Sequence, residues 1–217
     1  MGSEMCIRDR RYIDLTLNAP NTSFTLSKLL WLKNNEPDIF SKIRKVLLPK
    51  DYINFCLTGN FSTDVSDASG TGYFDVKNRK WSKEILATFD IDEELLPQVY
   101  ESSQVIGNIT EDIAMQTGLS TNTIVVAGAG DQAAAAVGNG VIKPGCTSIS
   151  LGTSGVVFTA VDKPVYDKFG RTHTFCHAVK NTWHIMGVTQ GCGLSVNWFR
   201  KNFAQEYSYC LLYTSPS

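Results

Sequence analysis

The sequence lacks the features that define several large classes of protein. No apolar run approaches the roughly 18 residues of a membrane span, and the first ten residues carry four charges in place of the apolar core of a signal peptide. Its 20 basic and 21 acidic residues balance, which argues against a nucleic-acid-binding protein. None of the six cysteines belongs to a Cys-x-x-Cys motif, so we expect free thiols and a cytoplasmic protein.

What is present is the composition of a globular protein, with 43% hydrophobic and 19% charged residues in a chain of 217. The first half is mainly helical in pattern, with Pro49 and Gly59 predicted to begin and end one helix and with Ser82 and Thr110 as N-caps. Residues 61–71 are polar and rich in glycine and serine, which predicts a loop. We predict helices over residues 27–35, 38–46, 50–57, 83–89 and 111–117.

Strand patterns dominate the second half of the sequence. A β-branched run over residues 123–127 predicts a buried strand, and a glycine-rich turn leads from it to a helix that starts at Gln132. The change in pattern predicts an α/β fold with a boundary near residues 120–123. Further elements are predicted as hairpins over residues 146–161 and 172–188 and a helix over residues 191–203.

The two ends, residues 1–10 and 209–217, show neither periodicity nor capping residues. They resemble strings found at the ends of unrelated conceptual translations, where adapter DNA has been read as protein. We therefore predict a non-native leader and a non-native tail. On this interpretation the native part is an internal fragment of a longer protein.

The first candidate site is the turn over residues 128–132, which reads Gly-Ala-Gly-Asp-Gln. It places the carboxylate of Asp131 at the end of a strand, where ligands of α/β proteins usually bind, and the glycines allow a ligand to approach the backbone. Such a carboxylate could take a proton from a substrate hydroxyl. Asp131 could instead be a simple N-cap of the following helix, and its position alone slightly favours that role.

The second candidate site is the predicted hairpin turn formed by Gly152, Thr153, Ser154 and Gly155. Its amide groups and two hydroxyls could surround phosphate oxygens, although it is not a Walker A motif because no Gly-Lys-Ser/Thr is present. By itself the pattern is explained as well by an ordinary β-turn.

Two weaker candidates concern metals. Histidines and cysteines cluster over residues 173–192, but strand alternation separates them, so packed strand residues explain them better than a zinc site. Residues 63–71 resemble a calcium loop loosely; the distal glutamate is absent, which favours a loop stabilised by Asx-turns. We therefore predict no metal site formed by the protein alone.

Taken in order, these segments resemble the FGGY family of carbohydrate kinases over residues 20–201. Residues 23–35 (SFTLSKLLWLKNN) resemble its first signature, and residues 46–71 (VLLPKDYINFCLTGNFSTDVSDASGT) resemble its xylulokinase branch. Residues 127–140 and 148–158 resemble the catalytic turn and the second phosphate loop. Residues 172–178 and 183–187 also resemble xylulokinase.

The resemblance implies an actin/hexokinase-like, ribonuclease H-like fold with two domains, incomplete in this chain. Residues 11–121 would belong to the sugar-binding domain and residues 122–208 to the ATP-binding domain. Asp131 would be the general base, Gln132 would contact sugar hydroxyls, and Gly152, Thr153, Ser154 and Gly155 would contact the transferred phosphate. ATP and Mg²⁺ are the implied cofactors, with the ion held mainly by phosphate oxygens.

The resemblance implies phosphorylation of D-xylulose by ATP, with a sugar and ATP as partners, no nucleic acid, no membrane and a homodimer as an option for the full-length parent. The alternatives are another kinase of the family, acting on glycerol, gluconate, ribulose or another polyol, and a non-catalytic relative that binds sugar or nucleotide. The family's first phosphate loop and its adenosine site are not in the sequence, so we expect this polypeptide itself to be inactive.

Overall fold

The structure, a computed structural model, describes residues 10–214, and α1 occupies residues 10–16 of that part. No helix of the described residues is long and apolar enough to cross a membrane. The other helices are α2 (Thr25–Asn35), α3 (Pro37–Phe40), α4 (Pro49–Thr58), α5 (Val65–Ala68), α6 (Lys83–Thr88), α7 (Glu111–Thr117), α8 (Asp131–Gly138), α9 (Gly193–Phe203) and α10 (Tyr209–Thr214).

The strands form three small pairs and one larger sheet. β1 pairs with β4 in parallel, whereas β2–β3 and β5–β6 are antiparallel pairs. The last four strands form an antiparallel sheet in the order β7-β8-β10-β9, which contains both predicted hairpins. The strands are β1 (Ser62–Asp64), β2 (Phe74–Asp75), β3 (Lys80–Trp81), β4 (Gln98–Tyr100), β5 (Val105–Asn108), β6 (Ile124–Val126), β7 (Thr147–Leu151), β8 (Gly155–Val161), β9 (His173–Cys176) and β10 (Trp183–Thr189).

The capping predictions are confirmed. Pro49 is the first residue of α4, and Gly59 ends that helix with φ +74°. The hydroxyl of Ser82 accepts a hydrogen bond from the amide of Ile85 at the start of α6. Thr110 caps α7 in the same way. Each of these signals acts within four residues, so local sequence was sufficient to locate them.

Three element predictions are wrong. The helix predicted over residues 38–46 ends at Phe40, because the chain leaves it and the amide of Val46 bonds to the carbonyl of Leu95. The loop predicted over residues 61–71 contains β1 and α5, since β1 pairs with the distant β4. The strand predicted as buried over residues 123–127 is β6, whose Ile124 is 60% exposed.

Among the described residues, β6 pairs only with β5. This pairing joins residues on both sides of the domain boundary predicted at residue 122.

Most of the core lies in the first part of the chain, and the larger sheet is attached to it through β9 and β10. The amide of Asn18 donates to the carbonyl of Thr174 at 2.9 Å and accepts from its N–H at 3.1 Å. The indole of Trp183 donates to the carbonyl of Val76 at 2.9 Å. The main core cluster comprises Leu17, Leu26, Leu29, Val65, Ala68, Tyr73, Phe74, Val76, Trp81, Ile85, Leu86, Ile91, Leu96 and Cys176.

The prediction for the ends of the chain remains open. Residues 1–9 of the predicted leader lie outside the described residues. In the predicted tail, residues 209–214 form α10, and the hydroxyl of Tyr209 donates to the side chain of Asn197 at 2.9 Å.

Replacement of Phe74 tests whether the main core cluster is packed as described. It is fully buried, with its ring edge-on to Trp81 at a centroid distance of 5.3 Å. We expect Phe74→Ala to lower the free energy of unfolding by about 3–5 kcal/mol, because it leaves a cavity. Urea denaturation measures the loss. Met115→Ala, at a site 77% exposed, is the control and should change stability by less than about 0.5 kcal/mol. A loss at Phe74 no larger than in this control would contradict the assignment.

Candidate functional site

The turn between β6 and α8 carries the first predicted site residue, Asp131. Gly128 has φ +78°, and a Cβ atom there would lie 3.2 Å from the side chain of Lys50, so glycine suits both the conformation and the space. The N-cap of α8 is Gly130, and Asp131 is the first residue of the helix. Its exposed carboxylate accepts a hydrogen bond from the amide of Gln132 at 2.7 Å. Asp131 is therefore not the N-cap, and its carboxylate faces solvent.

Side chains from α4 hold the strand end just before this turn. The carbonyl of Ala127 accepts hydrogen bonds from Lys50 Nζ at 3.1 Å and from Asn54 Nδ2 at 2.9 Å. Lys50 and Asn54 are four residues apart on α4, so they lie on one face of the helix. The end of β6 is thereby fixed to α4.

Two serines hold the turn itself. The amide of Gly128 donates to the carbonyl of Ser102 at 3.0 Å, and the amide of Gly130 donates to the hydroxyl of Ser66 at 3.0 Å. A Cβ atom on Gly130 would lie 3.5 Å from a carboxylate oxygen of Asp67, so this side chain packs directly beneath the turn. The catalytic turn predicted from sequence is thus anchored at three residues, Ala127, Gly128 and Gly130.

Lys50 is the cation of an acidic cluster below the turn. Its ammonium lies 2.8 Å from Asp51, 3.2 Å from Asp64 and 4.0 Å from Asp67. Burial opposes the charged form of Lys50, but the Asp64 and Asp51 carboxylates outweigh it and raise the pKa of the ammonium. Burial raises the pKa of Asp67 to about 6; Lys50 opposes the shift, while Asp64, Asp51 and Asp131 add to it. Asp67 and Asp131 therefore interact electrostatically.

The second candidate site forms the β7–β8 turn, as predicted. Its carbonyl groups are bound to the start of α9: that of Gly152 accepts from the amide of Gly193 at 2.9 Å, and that of Thr153 from Cys192 at 3.0 Å. A Cβ atom on Gly155 would lie 3.0 Å from the Thr189 side chain and 3.2 Å from that of Cys192. Only a residue without a side chain fits there without a shift of its neighbours.

The two candidate sites are joined by packing. Ala136 of α8 and Phe158 of β8 belong to one buried cluster with Val141 and Ala160. Within the described residues, no hydrogen bond or ion pair connects residues 128–132 with residues 152–155. The structure therefore holds each turn separately and relates them through α8 and β8.

The histidines considered as metal ligands are packed strand residues. His184 is 2% exposed and stacks on Phe158 at 4.1 Å, and both of its ring nitrogens have no hydrogen-bond partner. His177 donates from Nε2 to the carbonyl of Val141 at 2.9 Å and accepts the amide of Val179 at Nδ1. Within residues 10–214, no three histidine, cysteine or acidic residues are grouped so that they could hold a metal ion.

Sequence reasoning missed the residues that support the catalytic turn. It described Asp64 as part of a loop with Asx-turns; the loop is wrong, because Asp64 ends β1 and caps α5, but its carboxylate does accept the amides of Ser66 and Asp67. The role of Lys50 had no local signal, since its partner Ala127 lies 77 positions away in the chain. The position of this half-buried lysine beside three acidic residues is visible only after folding.

The comparison with protein families decides the identity of the fold. Residues 6–138 match the N-terminal domain of the FGGY family of carbohydrate kinases. The chain belongs to this family. The match extends beyond the boundary predicted between residues 121 and 122, whose position stays a prediction.

Individual FGGY proteins agree with this assignment. The chain is 41% identical to the xylulose kinase of Lactococcus lactis over 212 residues, which is 95% of this chain and 42% of that protein. It is 38% identical to the xylulose kinase of Bacillus subtilis over 197 residues, or 91% of this chain and 40% of that protein. A xyloylose kinase from Brucella ovis superposes with a TM-score of 0.87 at 41% identity, over 91% of this chain and 41% of that structure.

These findings confirm the predicted fold. The chain is mixed α/β and shares the actin/hexokinase-like architecture of FGGY sugar kinases. It spans about two-fifths of the length of the curated relatives that it matches.

The carboxylate of Asp67 gives a pH-dependent test of the acidic cluster. Its pKa of about 6 lies above the ordinary aspartate value of 3.8, so the native state binds the proton more tightly than the unfolded state. The protein therefore loses stability as the pH rises from about 4 to 6. We expect Asp67→Asn to be more stable relative to the parent at pH 7 than at pH 4. Urea denaturation at both pH values measures this, and a pH-independent difference would contradict the shift.

The imidazole of His184 predicts the opposite pH dependence. Burial, with a contribution from His177, lowers its pKa to about 3. The unfolded state binds this proton near pH 6.5, so the protein loses stability as the pH falls below that value. His184→Phe keeps a ring against Phe158 and removes the titrating group. We expect its stability, measured by urea denaturation, to fall less steeply between pH 7 and pH 4; an equally steep fall would show that His184 is not buried in this way.

Proposed function

We propose that the protein containing this chain is an ATP-dependent sugar kinase that converts D-xylulose and ATP into D-xylulose 5-phosphate and ADP. The observation that carries the proposal is 41% identity to a xylulose kinase across 95% of the chain. An exposed Asp131 carboxylate on an anchored turn supports it. Because the relatives are longer, the activity is proposed for the whole protein, and we expect no turnover from the present chain alone.

Asp131 acts as the general base in this proposal. The oxygen of the base must lie about 2.6–3.2 Å from the hydroxyl oxygen that carries the proton, and an exposed carboxylate on a fixed turn can meet that requirement. Gln132, half-buried at the start of α8, binds sugar hydroxyls next to the base. The sugar would therefore bind mainly beside the catalytic turn.

Gly152, Thr153, Ser154 and Gly155 contact the transferred phosphate of ATP. Phosphoryl transfer requires positioning and charge neutralisation more than covalent chemistry, so a turn of fixed shape is a suitable partner for phosphate oxygens. When bound, Mg²⁺ neutralises charge on the nucleotide, whose phosphates supply most of its ligands. The protein's part is to hold the acceptor hydroxyl and the phosphate in line.

Asp131→Asn in the protein encoded by the complete gene tests the base. We expect turnover of D-xylulose, measured as ADP release with ATP and Mg²⁺, to fall by about 100- to 10,000-fold, because the amide cannot accept the hydroxyl proton. Asp112→Asn, at an exposed position of α7, is the control and should keep parental turnover.

Assays of the parent with other sugars separate the alternatives. Preference for glycerol, ribulose or gluconate would keep the kinase and replace its substrate. ATP binding without turnover of any sugar would favour the non-catalytic relative. Full activity of Asp131→Asn would remove Asp131 from the mechanism.

A further inference from the structure

Three of the four residues that hold the catalytic turn, Lys50, Ser66 and Ser102, contact one buried carboxylate, that of Asp64. Its Oδ1 lies 3.2 Å from the ammonium of Lys50, and its Oδ2 accepts hydrogen bonds from the hydroxyls of Ser66 at 2.6 Å and Ser102 at 2.7 Å. Asp64 itself is 0% exposed. It therefore cannot touch a substrate, but it can act through these three partners.

Each partner of Asp64 reaches a different point of the catalytic turn. Lys50 binds the carbonyl of Ala127, Ser102 accepts the amide of Gly128 with its own carbonyl, and Ser66 accepts the amide of Gly130. The residue that follows is Asp131. The contacts thus form three two-step paths from one carboxylate to the main chain of the turn.

We propose that Asp64 is a positioning residue for Asp131, an inference that rests on the proposed function. Its capping of α5 through the amides of Ser66 and Asp67 accounts for only part of its contacts. The bonds from Lys50 and Ser102 come from α4 and from the turn after β4, and they contribute nothing to that cap. They place Asp64 where it fixes the orientation of the turn.

The contacts require a carboxylate and not an amide. A carboxylate only accepts hydrogen bonds and can take up to about four of them, whereas asparagine replaces one oxygen by an NH₂ donor. In Asp64→Asn that NH₂ group must take the place of either Oδ1, which faces the Lys50 ammonium, or Oδ2, which accepts the amide of Ser66 as well as the two hydroxyls. The ammonium and the amide can only donate, so a contact is lost in either orientation, and hydroxyls that meet an NH₂ group must reorient. We therefore expect the turn to be held less firmly at one or more points.

The test compares Asp64→Asn with Asp75→Asn in the protein encoded by the complete gene. Asp75 is also buried and also accepts hydrogen bonds, from the amide and side chain of Asn78, but it does not contact the turn. We expect Asp64→Asn to increase hydrogen–deuterium exchange of the segment over residues 127–131 about tenfold, and to lower kcat about 100-fold. Asp75→Asn should leave both unchanged.

A second pair of variants keeps the proposal testable if Asp64→Asn does not fold. Ser66→Ala removes one path, while Ser69→Ala removes a buried hydroxyl nearby that bonds to Val65 and Cys176. We expect faster exchange over residues 127–131 and lower kcat for Ser66→Ala alone. If Asp64 acts through Ser66, the double variant will also show a smaller change in the logarithm of kcat than the sum of the changes in Asp64→Asn and Ser66→Ala.

The exchange measurement separates this inference from the proposed function. Suppose that the parent protein phosphorylates no sugar but that Asp64→Asn or Ser66→Ala speeds exchange over residues 127–131. That result would support the role of Asp64 in holding the turn and reject the proposed kinase activity. Parental exchange and parental kcat in a folded Asp64→Asn or Ser66→Ala protein would overturn the positioning role. Equal effects in the control variants would assign these residues to general stability and overturn it as well.

Discussion

A carboxylate withdrawn completely from water must be compensated by charge and hydrogen bonds, and Asp64 imposes this constraint on the middle of the chain. Removing a carboxylate from water costs several kcal/mol, which is about the size of a domain's whole stability margin. The compensation comes from Lys50 of α4, Ser66 of α5 and Ser102 after β4. Because these groups come from separate elements, satisfying one buried charge brings α4, α5 and the end of β4 together.

This arrangement joins a buried polar cluster to an exposed carboxylate, that of Asp131. In the proposed mechanism Asp131 must reach a ligand, and a complete shell of hydrogen bonds around its carboxylate would prevent that. The structure instead fixes the main chain immediately before it, at Ala127, Gly128 and Gly130. The buried contacts of the main chain thereby fix the position of Asp131, while its carboxylate stays exposed to solvent.

Sequence alone predicts a structural feature well when the residues that determine the feature are close together in the chain. The caps at Ser82 and Thr110 and the end of α4 at Gly59 depend on neighbouring residues, and all were predicted. The segment over residues 61–71 was misjudged, since β1 exists only because Ser62 pairs with Gln98. Polar composition indicated a loop there, and no local pattern could supply the partner strand.

The same distinction between local and distant signals separates the residues of the candidate site that sequence could predict from those that it could not. Family resemblance singled out Asp131, and the glycine turn placed it at the end of β6. The acidic cluster could not be predicted, because its cation, Lys50, begins a helix far from the turn it holds. What distinguishes Lys50 is its set of partners, Asp51, Asp64 and the carbonyl of Ala127, and these come together only in the folded chain.

The two turns are held by different physical means, and this bears on how the site works. Side chains of Lys50, Asn54 and Ser66 and a main-chain bond from Gly128 to Ser102 hold residues 127–130, whereas close packing and main-chain bonds hold the turn over residues 152–155. A Cβ atom on Gly193 would lie 2.8 Å from the carbonyl oxygen of Gly152, so the second turn depends on glycine for its fit against α9. The two turns therefore rest on different neighbours. In the proposed reaction this separation would let the hydroxyl and the phosphate be aligned independently before phosphoryl transfer.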